Sequence, residues 1–301
     1  MRAEPRGRVR RCIAASSVAP IARYRCSLRP CAAVAYRGRT TSIIPARPLW
    51  FDPVLGRVVE PAFAADGVVR LGTDLCNWFL VDGDDGVVAV DAGFPDYRPQ
   101  LEPGLRLLGR TPADLTAVVV THGHADHLGV AEQLRQELGL SVCVHEDDAQ
   151  LARSAAGRGK TESSTLPYLR HPHAIRFLVH FRTSGKPRPI ADVRPYADGD
   201  ELPGGLRAIH TGGHTAGHSV IHHESRRLLF AGDVLCTLNP LTGARGPQLL
   251  PRPLNLSSAT MLDSLTKLEG LDVGAILVGH GETWTQGAAA AVSRARNVGP
   301  T

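Results

Sequence analysis

The sequence predicts an α/β fold in which short apolar strands alternate with helices, within one domain over residues 48–301. Short apolar or alternating runs of strand length are interleaved with longer segments that have helical spacing of their apolar residues. The composition, 43% hydrophobic and 21% charged over 301 residues, is typical of a globular domain. Because no apolar stretch approaches the roughly 20 residues of a membrane span, the sequence excludes a transmembrane protein.

The first half of the domain is predicted to begin with a group of strands. The turn sequence Asp82-Gly83-Asp84-Asp85-Gly86 predicts a hairpin between the last two of them. The strand-like runs occupy residues 57–63, 68–72, 75–82 and 86–91. The predicted elements that follow are a helix over 97–109, a strand over 115–121, a helix over 128–138 and a strand over 140–144.

The second half repeats the order of strands and then helices. Its predicted elements are strands over 205–210, 218–223 and 226–232, a helix over 257–270, a strand over 274–278 and a helix over 286–296. Between the halves, residues 150–197 form an insertion with a predicted helix over Leu166 to Phe181. Insertions above a rigid scaffold commonly form lids and pockets, so we expect this segment to determine the choice of substrate.

Residues 1–47 differ in composition from the rest of the chain. They contain 11 of the 34 Lys and Arg side chains and a single acidic one, Glu4, so we expect a poorly ordered Arg-rich extension. An organellar transit peptide is an alternative interpretation. The remaining chain has 23 basic and 28 acidic side chains, which argues against a nucleic-acid partner. The few cysteines, without a C-x-x-C pair, favour a reducing compartment, and we expect a cytoplasmic protein.

The most informative stretch is His122-Gly123-His124-Ala125-Asp126-His127, directly after the predicted strand over 115–121. It places four potential metal ligands within six residues. Side chains at the end of a strand can converge on one point while their neighbours point towards a second. Imidazole and carboxylate groups are ligands for zinc, and also for iron or manganese. The stretch therefore predicts a metal site rather than a polar turn.

Four further segments place ligand-type residues after apolar runs or in glycine-rich turns. They contain Asp91, His214 with His218, Asp233, and His280. Together with the stretch over residues 122–127 they make five motifs. Taken in sequence order, these motifs resemble those of the metallo-β-lactamase superfamily, whose His-x-His-x-Asp-His motif is followed by a His, an Asp and a His at later strand ends. The resemblance covers roughly residues 57 to 285, and it implies a four-layer αββα sandwich with the metals at one edge.

Two metal sites are implied by the resemblance. It assigns His122, His124 and His214 to the first metal, and Asp126, His127 and His280 to the second. Asp233 would bridge both, and an anionic bridge relieves the repulsion between two dications. Asp91 is expected to hold a ligand imidazole or the adjacent loop, and His218 to have a supporting role.

The implied cofactors are two Zn²⁺ ions, with iron or manganese as alternatives. Two metals roughly 3.5–4 Å apart suit hydrolysis, because a hydroxide between them can attack the substrate. Asp126 is the candidate catalytic residue, since it would orient this nucleophile or move its proton. The sequence contains no Gly-x-Ser-x-Gly elbow that would supply a protein nucleophile.

Differences among the families that share this set of metal ligands narrow the predicted class of substrate. Common zinc β-lactamases carry Cys where Asp233 stands, which argues against β-lactam hydrolysis. The motif around His214 resembles that of glyoxalase II-like thioester hydrolases, but only 21 residues follow His280, where those enzymes add a glutathione-binding region. Lactonases resemble the chain in metal set, although Cys236 stands where they have a pocket Tyr. We therefore predict a dinuclear zinc hydrolase of a small ester, lactone or thioester.

Two other classes of function remain as alternatives. Iron persulfide dioxygenases bind one iron through residues that correspond to His122, His214 and Asp233, and they retain most of the remaining pattern. A binding module without catalysis is disfavoured, because a disused site has no physical reason to keep seven clustered ligands. The expected partner is a small-molecule substrate, with no nucleic acid and no membrane, and an apolar rim near the insertion would allow a homodimer.

Overall fold

The computed structural model describes residues 59–155 and 161–301. Within these ranges the strands form a seven-stranded sheet, a five-stranded sheet and a two-stranded sheet. The prediction of a poorly ordered extension over residues 1–47 lies outside the described residues, as does the start of the predicted strand over 57–63.

The first sheet contains seven strands in their order along the chain. Its first four strands are antiparallel, and the remaining three continue the sheet in parallel. The strands are β1 (Ala62–Ala65), β2 (Val68–Gly72), β3 (Asn77–Gly83), β4 (Gly86–Val90), β5 (Leu115–Val119), β6 (Ser141–His145) and β7 (Arg194–Tyr196).

The second sheet is mixed, because its strand over Leu228–Gly232 is antiparallel to one neighbouring strand and parallel to the other. Its strands are β8 (Glu201–Leu202), β9 (Leu206–His210), β10 (Ser219–His223), β11 (Leu228–Gly232) and β14 (Ala275–Val278), in the spatial order β14-β11-β10-β9-β8. A separate hairpin contains β12 (Cys236–Leu238) and β13 (Arg245–Gln248).

The helices lie between and after these strands. They are α1 (Leu101–Leu107), α2 (Ala125–Leu128), α3 (Ala131–Leu138), α4 (Ala149–Ser154), α5 (Pro172–Thr183), α6 (Ser258–Ser264), α7 (Thr266–Glu269) and α8 (Ala288–Val298). The helix predicted over 97–109 begins instead as a 3₁₀ turn over Pro95–Gln100 that contains Pro99, whose nitrogen has no hydrogen to donate. The helix predicted over 257–270 is divided into α6 and α7.

Successive side chains along a strand point to opposite faces of its sheet and so pack into different layers of the fold. On β3, Phe79 and Val81 face the second sheet, where Phe230 packs edge-on against Phe79. Trp78 and Leu80 point the other way, into a core shared with α1 and α3. All four side chains are at most 3% exposed. A strand buried on both faces in this way forms the centre of a sandwich.

The outer face of the second sheet is covered by the C-terminal helices. Leu229 of β11 and Ile276 of β14 pack in one core with Met261 of α6 and Val292 of α8. The order of layers is therefore helices, sheet, sheet, helices, which confirms the predicted αββα sandwich. Among the described residues the longest helix, α5, has 12 residues, and no membrane-spanning helix is found.

Candidate metal centre

The predicted ligands converge at one edge of the sandwich, just beyond the carboxyl ends of several strands. His122 and His124 follow β5, Asp233 directly follows β11, and His280 lies two residues after β14. Each of the seven side chains predicted as ligands belongs to a residue no more than 4% exposed: His122, His124, Asp126, His127, His214, Asp233 and His280. Burial of this many polar groups is costly unless they are paired or coordinate a metal.

Three imidazoles form the first group of possible ligands. His214 Nε2 lies 2.8 Å from His124 Nδ1 and 3.2 Å from His122 Nε2. Tetrahedral zinc with Zn–N bonds of about 2.0–2.1 Å places its nitrogen ligands about 3.3 Å apart. The spacing of these nitrogens therefore fits one metal ion held by three histidines.

Asp126, His127 and His280 form the second group. His280 Nε2 lies 3.7 Å from Asp126 Oδ2, and His127 Nε2 lies 4.0 Å from the same oxygen. Among the described residues, both oxygens of Asp126 and Nε2 of His127 are buried atoms without a hydrogen-bond partner. Because unpaired buried polar atoms are expensive, these atoms also fit a metal ion.

Asp233 lies between the two groups. Its Oδ2 is 3.3 Å from His214 Nε2 and 3.2 Å from His280 Nε2, and its Oδ1 is 3.5 Å from His127 Nε2. Although burial opposes ionisation, His280 and His127 hold the pKa of Asp233 well below its ordinary value. The side chain is thus an anion in contact with both groups, as a bridging ligand requires.

The histidines of the centre differ in their acid–base state. Burial, together with the neighbouring imidazoles of His127 and His214, holds the pKa of His122 well below its ordinary value. At His127 burial also opposes the charged form, but the carboxylates of Asp91 and Asp233 outweigh it and raise the pKa well above the ordinary value. The proton that His127 retains without a metal would have to leave when a metal binds.

Asp91 is placed where the sequence predicted, behind the ligand imidazoles. Its Oδ2 accepts from His127 Nδ1 at 2.9 Å, and its Oδ1 accepts from the Thr121 amide at 2.8 Å. The Thr121 hydroxyl contacts both Asp91 and His122 Nδ1. Asp91 has a φ of 62°, in the left-handed region that Asp tolerates better than most residues. One carboxylate therefore orients two of the ligand histidines.

The remaining ligand histidines have other partners. His214 Nδ1 lies 3.0 Å from Asn255 Oδ1, and His280 Nδ1 contacts the backbone oxygen of Leu75. These contacts leave Nε2 of each ring free to face the centre. The sequence did not predict Asn255, because a lone Asn in a Pro-rich loop has no pattern that separates it from a turn residue.

His218 contacts the backbone of Asp233 and is not one of the predicted ligands. Its Nε2 accepts a hydrogen bond from the Asp233 amide at 2.9 Å, so its Nδ1 carries the proton and donates to the Thr211 hydroxyl. Burial and the nearby His214 hold the pKa of His218 well below its ordinary value. A neutral His218 is what this pair of hydrogen bonds requires.

Asp148, at the end of a 3₁₀ turn after β6, is a buried residue that sequence reasoning missed. Its carboxylate accepts from the Gly123 amide at 2.8 Å, the Thr215 hydroxyl at 2.6 Å and the Gly217 amide at 2.8 Å. These donors belong to the loop of His122 and His124 and to the loop of His214. Asp148 therefore ties together the two loops that carry the first group of ligands.

The insertion helix α5 packs beside the centre. The ring of Phe177 contacts that of His280, with centroids 5.8 Å apart, and Arg176 forms a salt bridge with Asp74 at 2.8 Å. His180 of this helix is 3% exposed, and its Nε2 forms a hydrogen bond with the Tyr97 hydroxyl. Cys236 is fully buried in a core with Phe177 and does not line an open pocket.

Another group of possible metal donors lies outside the predicted ligands and contains His145, Asp147 and His210. The two rings stack with centroids 4.6 Å apart. His145 Nδ1 already accepts from the Asp147 amide, and His210 Nε2 bonds to the Ala216 oxygen. Since both rings have structural hydrogen bonds, this set is weaker as a metal site than the central one.

An αββα sandwich with buried His and Asp groups at the strand ends defines a class of metal-dependent proteins. The family model described as "Metallo-beta-lactamase superfamily" matches residues 71–280. The chain belongs to this superfamily, which confirms the family predicted from its motifs.

Similar proteins are named as hydrolases. A probable metallo-hydrolase of Bacillus subtilis, YflN, is 26% identical over 72% of this chain and 85% of its own length. A hydroxyacylglutathione hydrolase of Rhodobacter capsulatus is 29% identical, and the match covers 66% of this chain and 59% of that relative. These names support the prediction of a metal-dependent hydrolase.

Solved structures agree on the fold. The Rm3 metallo-β-lactamase superposes with a TM-score of 0.60 at 19% identity, covering 81% of this chain and 94% of the other. A metallo-β-lactamase family protein from Thermus thermophilus gives a TM-score of 0.53 at 23% identity, covering 76% of this chain and 78% of the other. At these identities, the structures show the sandwich alone.

Proposed function

We propose that this protein is a dinuclear zinc hydrolase that cleaves a small ester, lactone or thioester. The observation that carries the proposal is the pair of adjacent ligand groups joined by Asp233, with unpaired buried acceptors in the second group. Histidine nitrogen and carboxylate oxygen form a donor set that zinc commonly binds. When bound, the two ions would polarise the substrate oxygen and supply an ionised water at neutral pH.

The ligand assignment follows the two groups. His122, His124 and His214 would hold the first ion, and Asp126, His127 and His280 would hold the second, with Asp233 between them. Hydrogen bonds on the outer nitrogens of His127 and His214 keep their Nε2 lone pairs directed inwards.

Asp126 would have two tasks. It is 1% exposed, and both of its oxygens lack a hydrogen-bond partner among the described residues. One oxygen would contact the second ion, and the other would accept a hydrogen bond from the attacking water and orient it. This arrangement supports two ions rather than the single iron of a persulfide dioxygenase, because a single-ion site at His122, His214 and Asp233 would leave the Asp126 carboxylate buried and unpaired.

The substrate class is supported by the named relatives. Two of them are named hydroxyacylglutathione hydrolases, and their similarity to this chain favours an acyl substrate. We infer that a small molecule is the partner, and neither nucleic acid nor a membrane is needed for this chemistry.

The test combines metal analysis with a turnover screen of lactones, thioesters, aryl esters and phosphodiesters. We expect about two zinc ions per chain and turnover of at least one acyl substrate. Asp233→Ala should lose metal and turnover while keeping the fold by circular dichroism. Asp66→Asn, which changes one charge in an exposed turn, is the control. One iron per chain with oxygen consumption, or unchanged turnover by Asp233→Ala, would contradict the proposal.

A further inference from the structure

Behind His214, a chain of hydrogen bonds runs away from the metal centre. Asn255 is fully buried, and its Nδ2 donates to the Leu250 oxygen at 2.7 Å and to Ser258 Oγ at 3.0 Å. These two acceptors fix the orientation of the amide, so its Oδ1 faces His214 Nδ1 at 3.0 Å. His214 must therefore carry its proton on Nδ1, which leaves the Nε2 lone pair for the centre.

The chain continues to a carboxylate in the insertion. Ser258 Oγ donates to Glu162 Oε2 at 2.5 Å, and the Ser258 amide donates to Glu162 Oε1 at 2.9 Å. The Glu162 amide in turn donates to the Asn255 backbone oxygen at 2.9 Å. Because the Ser258 hydroxyl proton points to Glu162, its oxygen is available as the acceptor for Asn255.

In this series of hydrogen bonds each side chain donates to the next, from His214 through Asn255 and Ser258 to Glu162. A negative charge at the acceptor end polarises each bond and strengthens the next one. At His127 the carboxylate of Asp91 accepts directly from the ring. At His214 the same chemical effect would reach the ring through two neutral side chains.

We propose that Ser258 and Glu162 are positioning residues for His214, and that they fix its tautomer and strengthen its hold on the first metal ion. This inference rests on the proposed function, since it concerns a ligand of that centre. It gives the insertion over residues 150–197 a second role besides the choice of substrate, because Glu162 belongs to it. Glu162 is exposed whereas Ser258 and Asn255 are buried, so the effect of the carboxylate is weakened by solvent.

A purely structural role is the rival explanation. Glu162 accepts from the amide of Ser258, the first residue of α6, and a carboxylate there stabilises the start of a helix. The neighbouring Ser257 offers a matched control, because its hydroxyl caps the same helix by accepting from the Thr260 amide and contacts no member of the chain. Ser258→Ala removes the hydroxyl that links Asn255 to Glu162 but leaves the hydrogen bond from the amide of residue 258 to Glu162.

The experiment compares Ser258→Ala, Glu162→Gln and Ser257→Ala with the wild type. The first readout is the tautomer of His214 in the metal-free protein, from the nitrogen chemical shifts of its ring. We expect Nδ1–H in the wild type and in Ser257→Ala, and a partial loss of Nδ1–H in Ser258→Ala, where the Leu250 oxygen alone still fixes the Asn255 amide. This measurement needs no metal, so it remains decisive even if the proposed zinc centre is wrong.

The second readout is zinc affinity from competition with a chromophoric chelator. Loss of an outer hydrogen-bond partner typically weakens metal binding about 10–100-fold, and we expect about tenfold for one of the two ions in Ser258→Ala. Glu162→Gln should have a smaller effect on the same ion, and Ser257→Ala should lower the melting temperature without a change in affinity. An unchanged tautomer in Ser258→Ala, or equal effects of the two serine variants on affinity, would overturn the inference. A wild type that binds no zinc would contradict the proposed function alone.

Discussion

Replacement of Asp91 by Asn would test how the centre is held together. The Asp91 carboxylate accepts from His127 Nδ1 at 2.9 Å and from the amide and hydroxyl of Thr121 at 2.8 and 2.9 Å. Asn has nearly the same shape, but one of its two positions becomes an NH₂ donor. If the oxygen stays opposite Thr121, the NH₂ faces His127 and forces its proton onto Nε2, the atom that points to the centre.

The magnitude follows from the bond that is lost. A hydrogen bond to a charged group contributes about 1.5–3 kcal/mol, and the reversed amide would instead leave the Thr121 amide unsatisfied at a cost of about 1–3 kcal/mol. With the NH₂ facing His127, the binding of an ion at His127 should weaken by about 10- to 100-fold, since 1.4 kcal/mol is about tenfold. With the amide reversed, the cost should appear instead as a lower stability of the metal-free protein, because the Thr121 amide is unsatisfied with and without metal. The ion at His122 should be affected less, because Asp91 reaches that ring only through the Thr121 hydroxyl.

Chelator competition with zinc, on wild type, Asp91→Asn and the control Asp66→Asn, would measure both dissociation constants. Thermal melting of the metal-free proteins would show whether the fold is retained. Should Asp91→Asn bind both ions within about twofold of the wild type and melt at the wild-type temperature without metal, the orienting role of Asp91 would be refuted.

Three further predictions concern other parts of the fold. Gly279→Ala would bring a Cβ into collision with Asp233 Oδ1, so metal content should fall in elemental analysis although the chain folds. Phe177→Ala should lower the free energy of unfolding by about 3–5 kcal/mol in denaturant titration, because Phe177 is 1% exposed. Hydrogen bonds from Arg135 hold the pKa of Glu132 below its ordinary value, so Glu132 stabilises the fold above its unfolded pKa of about 4.3. Glu132→Gln should therefore cost about 1–2 kcal/mol at pH 7, and the difference should vanish as the pH falls through the folded pKa.

The sandwich and the clustering of the predicted ligands at its edge could be predicted because their signals are local. Runs such as Val87–Val90 and Ala117–Val120 are apolar and buried on both faces, as parallel or central strands of a sandwich must be. Each ligand also follows such a run within a few residues, so the end of the strand fixes its location. Patterns of such short range can be recognised in the sequence without any knowledge of tertiary contacts.

Other elements had no such signal. The strands β7, β8, β12 and β13 have only two to four residues each, which is too short for an alternating pattern that would distinguish them from loops. On the helix α5, His180 is buried by contacts with Phe94 and Tyr97, which come from a distant part of the chain. Burial of this kind depends on which surfaces meet, and helical spacing cannot show it.

Asp148 shows most directly why the supporting residues escape sequence reasoning. It follows Glu146 and Asp147 in a short acidic run, which predicts a solvated turn. In the structure it is fully buried and receives three hydrogen bonds from loops 25 and 69 residues away in sequence. Two of its donors, Gly123 and Gly217, leave no room for larger residues, because a Cβ on Gly217 would lie 2.7 Å from the Asp148 amide. The ligand motifs therefore specify which atoms can bind a metal, but the distance between their loops depends on a carboxylate that none of the motifs contains.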